Sequence, residues 1–226
     1  MSNKHYLYLY DLEHFSIYRK NEDIQTLKDI ENVLNETYNK AIKFYEINIE
    51  NTDVYIYNNQ LEFQKQKNPD ITIENVINWW VGETVYNKIL AVSPKLETNS
   101  GHNYQSILNV IAHEFIHTVN NKINRNCNIW IDEGIALYLS NGDRSKDLLK
   151  KFKIPSIEVF NINKISTFNE ENGYIFADKI VEYVHDKYGK NKVIELIKNN
   201  NYENVLNKNI KEIYKEWVNY LNENYI

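Results

Sequence analysis

Between Tyr104 and Ile123 the chain carries a pattern that only a helix resting on a core can use. Leu108, Ile111, Phe115, Ile116, Val119 and Ile123 fall on one stripe at helical spacing. His113 and His117 fall on the other side, four residues apart, with Glu114 between them. Residues at i and i+4 of a helix lie on one face about 6 Å apart, so one metal ion can take both imidazoles. The glutamate then stands beside the metal, within reach of a proton on a coordinated water. The bland alternative is a pair of solvated histidines on an exposed helix face.

A second segment bears on that choice. After the loop Asn124–Asn128, residues 130–140 read as a helix, Trp-Ile-Asp-Glu-Gly-Ile-Ala-Leu-Tyr-Leu-Ser, apolar on nearly every side except at Asp132 and Glu133. Asp132 suits the first turn of a helix. Glu133 lies between Trp130 and Leu137 on the i±3/4 rows, where a buried carboxylate is costly unless paired or metal-bound. Two histidines and one glutamate form a catalytic zinc set that leaves a position for water. Fifteen residues separate His117 from Glu133, enough for a helix end, a turn and a return, and Gly134 permits close backbone approach. The expected ligands are therefore His113, His117 and Glu133, with one Zn2+ per chain. Cys127 and His102 are weaker candidates. The first sits in the loop outside a complete set, and the second reads as a solvated loop histidine. Asn120 and Asn121 read as helix surface.

His-Glu-Phe-Ile-His followed by Trp-Ile-Asp-Glu-Gly-Ile-Ala-Leu-Tyr resembles the gluzincin metallopeptidases, most closely the peptidase MA-like group with its HExxH and WxxEGxAxY segments. Weaker likenesses extend over residues 22–222: DVYIYNNQLEF to that group's strand-and-helix entry, KILAVSP to the strand before the motif helix, NGYIFADKIVEYVHDKYG to a Gly-Tyr helix after the ligands, and EIYKEWVNYL to a closing helix. The resemblance implies a zincin-like α+β fold with an active-site cleft, Glu114 as general base and acid, and Tyr174 as an oxyanion donor. Apart from the resemblance, Tyr174 reads as a helix-start aromatic packing on the core. The sequence departs from the thermolysin-type pattern at Leu137, where that pattern has an Asp, so the residue orienting the ligand histidines is unassigned.

The rest of the chain fits a mixed-class domain pair. Strands are expected at 5–10, 53–59 and, one or two of them, 81–92; helices at 22–47, 60–67, 104–123, 130–140 (stopped by Asn141-Gly142), 145–152, 174–188, 190–199 and 209–223. The organisation expected is an N-terminal α/β part, 1–123, and a helical C-terminal part, 124–226. A net charge of −5 and lysines scattered except near Lys146, Lys150, Lys151 and Lys153 argue against a nucleic-acid partner. One cysteine rules out an intrachain disulfide. No apolar run approaches a membrane span, and the N-terminal stretch lacks the apolar core and cleavage site of a signal peptide. The expectation is a cytoplasmic protein, or a mature form after loss of a leader. The function expected is a zinc metallopeptidase acting on a peptide or protein, with substrate extended along an edge strand from residues 83–93 and Trp79 or Trp80 at a subsite. A regulatory protease for one cellular protein and a binding module with structural zinc are the rivals; the intact Glu114 argues against the second. The oligomeric state is left open.

Overall fold

The computed structural model describes residues 8–98, 101–140, 146–161 and 163–226. The protein is α+β and divides into two compact units, Met1–Val119 and Asn120–Ile226. The division falls inside one continuous helix.

The first unit is built on a mixed sheet of five strands: β1 (Tyr8–Asp11), β2 (Phe15–Arg19), β3 (Thr52–Tyr57), β4 (Gly82–Val85) and β5 (Lys88–Val92). Their order is β1-β2-β3-β5-β4. β2, β3 and β5 run parallel, and β1 and β4 are antiparallel edges. A parallel pair needs a long crossover, and helix α1 (Ile24–Tyr45) supplies it between β2 and β3. Asp23 caps α1 by accepting from the Thr26 amide at 2.9 Å. Leu27, Ile30, Leu34 and Ala41 bury its inner stripe. The short helix α2 (Gln60–Gln64) starts at Asn59, whose side chain accepts from the Glu62 amide; β3 therefore ends before the expected 59. A two-residue turn joins β4 to β5, with Tyr86 in the left-handed region at φ 59°.

The register sorts the sheet's two faces. Ile17, Val54, Ile89 and Thr84 lie in one row across four strands. The first three are fully buried, under α1 and helix α3 (Tyr104–Ile123). Phe15 meets Phe115 of α3 edge-on at 5.2 Å, and Tyr38 of α1 stacks on Phe115 and meets Phe15 edge-on. Gly82 belongs to the same face, one pair along, opposite Ala91. The other face carries Tyr18 stacked on Tyr55 at 4.6 Å, and α2 packs there through Phe63 beside Tyr57.

The second unit is helical throughout its described residues. After the last turn of α3 come α4 (Ile129–Ser140), α5 (Lys146–Leu149), a 3-10 turn (Ile157–Phe160), α6 (Ile165–Glu170), α7 (Gly173–Tyr188), α8 (Lys190–Asn199), α9 (Tyr202–Leu206) and α10 (Ile210–Asn224). Its core gathers Trp130, Phe168, Phe176, Phe160 and Trp217, all essentially without exposure. A side chain at Gly134 would meet the Ala177 carbonyl at 2.5 Å, so glycine is what lets α4 and α7 cross this closely.

Most expected elements appear within two residues of their predicted ends. Four helical pieces (a 3-10 turn at Ile73–Asn75, the one at Ile157–Phe160, α6 and α9) and strand β2 were not expected. The strand expected at 5–10 is seen from Tyr8 onward, its first residues lying outside the described ones. The Asn141-Gly142 helix stop, Ser145 and the side chain of Lys146 also lie outside them. No described helix is long and apolar enough to cross a membrane.

Candidate metal centre

Helix α3 begins with a reciprocal cap. The Asn103 side chain accepts from the Ser106 amide at 2.9 Å, and the Ser106 hydroxyl oxygen accepts from the Asn103 amide at 2.8 Å. Two and a half turns later the helix presents the histidine pair. His113 is half-buried and His117 is buried at 9% exposure, so these are not histidines standing in solvent. Their Nε2 atoms lie 3.0 Å apart, with the rings at 81°. That spacing suits either one shared proton or joint donation to one ion at about 2.1 Å from each nitrogen.

Glu114 is also buried at 9% exposure, and its surroundings come from the sheet. Thr84 of β4 places its hydroxyl 2.7 Å from Glu114 Oε2 and 2.7 Å from the Glu114 backbone carbonyl oxygen. Two residues earlier, on the same face, Gly82 leaves room for Val110 of the same helix. A Cβ there would sit 2.4 Å from Val110 Cγ1 and 3.4 Å from Glu114 Cγ. Neither residue was singled out from the sequence. The signal was a Gly-x-Thr on a four-residue strand, meaningful only once the register aims both at α3.

The loop after α3 is fixed by asparagines. Asn124 donates to the Ile197 carbonyl at 2.7 Å, and Asn200 donates to the Asn126 carbonyl at 2.6 Å and accepts from the Asn128 amide at 2.7 Å. Asn128 in turn caps α4, accepting from the Trp130 amide at 2.9 Å. Asn120, expected on the surface, is fully buried and donates to Asp132 Oδ1 at 2.7 Å. The reason is that α4 returns over the last turn of α3, and a buried amide there needs the partner Asp132 provides. Asp132 thus serves a tertiary bond as well as the helix start.

Glu133 follows directly. It is half-buried, where a buried carboxylate was expected. Each of His113, His117 and Glu133 offers one ligand atom, and these atoms lie within 4.8 Å of one another. Two imidazoles and a carboxylate in such a cluster are the donor chemistry zinc takes, so the residues present fit the ion. Gly134 serves the contact with α7.

Tyr174 stands in the first turn of α7, 42% exposed, its ring edge-on to Phe168 at 5.0 Å. Phe168 in turn meets Trp130 edge-on at 5.0 Å. A relay of three rings therefore ties Tyr174 to the helix that carries Glu133. Gly173 is required for it, since a Cβ there would enter the Phe168 ring. Cys127 is not one of the clustered donors; burial, then the charge of Asp132, push its thiol up. His102 is half-exposed, with Nδ1 3.2 Å from the Ser106 hydroxyl. Trp79 is largely exposed, while Trp80 packs edge-on against Phe63 under Lys67.

No protein-family model matches the chain, and no curated protein matches it in sequence.

Proposed function

We propose that the protein is a zinc-dependent peptidase of zincin-like type, hydrolysing peptide bonds in a peptide or protein. The observation that carries this reading is the combination of a three-donor cluster, His113, His117 and Glu133, with a fourth group beside it that is not needed to hold a metal. That group is Glu114, on the same helix as the histidines and hydrogen-bonded from the sheet. A purely structural zinc site has no use for it. The sequence resemblance to gluzincins points the same way.

A zinc ion in this cluster supplies a Lewis acid that polarises a carbonyl and lowers the pKa of water towards neutrality. The chain's own residues do the rest. Glu114 accepts a proton from the attacking water and delivers it to the departing amine. Tyr174 donates to the oxygen of the tetrahedral intermediate. β4, the sheet's free edge beside α3, offers backbone groups to an extended substrate.

The test separates binding from chemistry. Zinc content measured by elemental analysis should be about one per chain and should fall on His113→Ala or Glu133→Ala. Glu114→Gln should keep the zinc and lose roughly 10²- to 10⁴-fold in casein or peptide cleavage, since it removes only the proton transfer. Wild-type zinc in Glu133→Ala, or wild-type cleavage by Glu114→Gln, overturns the reading.

A further inference from the structure

We infer that the edge strand β4 positions the general base: Thr84 is a positioning residue that holds the Glu114 carboxylate through Oε2. The inference rests on the peptidase reading and deepens it.

A carboxylate on a helix surface samples several rotamers, and a base that must meet one water in one direction loses rate in all but one of them. Here one strand fixes one end of the side chain. At Gly82 an added Cβ would meet Val110 Cγ1 at 2.4 Å, so the glycine lets β4 lie close on α3, while Glu114 Cγ at 3.4 Å would be in ordinary contact. Two residues on, Thr84 reaches Oε2 at 2.7 Å. The strand is rigid where it does this, because Gly82, Thr84 and Val85 pair with Ala91, Ile89 and Lys88 of β5. Threonine's β-branch further limits the hydroxyl to few rotamers. One carboxylate oxygen, Oε2, is thereby engaged by the strand.

The hydroxyl has one proton and two acceptors at equal distance. It donates to Oε2 while Glu114 is charged. When Glu114 has taken the proton from water, Thr84 can turn its own proton to the Glu114 carbonyl and accept from the carboxylic acid. No proton leaves Thr84 in either state, so the same side chain serves both forms of the base.

Thr84→Val keeps the shape and removes the donor. Assayed on fluorescein-labelled casein, the zinc-loaded variant should lose about 10- to 100-fold in kcat with KM within about twofold. Its zinc content should be unchanged, and Thr84→Ser should restore most of the rate. In a Glu114→Gln background Thr84→Val should cost nothing further, because its effect passes through the carboxylate. A crystal structure of Thr84→Val should show the carboxylate displaced by about 1 Å or more, enough to matter for proton transfer. Wild-type kcat in Thr84→Val, an equal loss in the Glu114→Gln background, or an unmoved carboxylate overturns the inference. Should Thr84→Val not fold, Thr84→Ser and Thr84→Ala are compared on the same readouts, and equal rates overturn it. An inactive wild type with zinc bound defeats the peptidase reading instead, and the carboxylate position still decides the role of Thr84.

Discussion

Tyr174 is the oxyanion donor of the proposed mechanism. Its ring has a structural task already, edge-on to Phe168 in the relay that ends at Trp130. Tyr174→Phe keeps that ring and deletes only the hydroxyl. A donor to a developing oxyanion strengthens as charge builds, so kcat should fall roughly 10²-fold with KM and melting temperature nearly unchanged. Full kcat in stopped assays would return the residue to packing. At this scale much of the candidate site was legible. His113, Glu114 and His117 announce themselves because helical spacing sets which of them share a face, and Glu133 because it is a carboxylate in an otherwise apolar helix. Thr84 and Asn120 do not. Thr84 meets a residue thirty positions away, and the burial of Asn120 follows from where α4 returns, which no local pattern records.

Among the elements, α7 and α10 are joined by a network centred on one carboxylate. Glu216 of α10 accepts from Tyr188 at 2.7 Å and Tyr183 at 2.8 Å, both on α7, and pairs with Lys187 at 3.0 Å and with Lys208. Burial by itself would raise the Glu216 carboxyl; the bonds from Lys208, Tyr188, Tyr183 and Lys187 outweigh it and bring it down to about 2. A depressed carboxyl contributes stability above its unfolded value, and that contribution is lost as pH falls from about 4.5 towards 2. Glu216→Gln should therefore lower stability at pH 7 by on the order of 1–2 kcal/mol, allowing for partial exposure. Urea titrations should show the gap to wild type closing between pH 4.5 and 2. A gap independent of pH would mean the network works by packing. Elements long enough to show a period were readable from sequence, α1, α3, α4, α7 and α10 among them. β2 was not: Phe15, Ser16 and Ile17 are all buried, as in a strand with neighbours on both sides, so the alternation that marks a strand is missing. α6 and α9, at six and five residues, are too short to display a helical stripe.

For the molecule as a whole, a bound metal should act on folding as well as on catalysis, because an ion held by the folded cluster and not by the open chain stabilises by mass action. Zinc at about a hundred times its dissociation constant is worth about 2.7 kcal/mol. In a chain of 226 residues that is a rise in Tm of about 5–10 °C. Calorimetry before and after chelation should show it, and should show none of it in His113→Ala. Equal melting of the stripped and loaded forms would mean that the cluster does not hold the ion tightly. The linear arrangement of the chain has a consequence in time. Every described strand lies before residue 93, and the described residues beyond Asn103 are helical or loop. At about 5–20 residues per second, a growing chain completes the sheet, then the histidine helix that rests on it, and reaches Glu133 roughly one to three seconds after His117. For that interval it carries the two histidines of the proposed ligand set without Glu133, a pair that copper binds more avidly than zinc does. Under that reading the third donor is added only once translation has passed the start of α4.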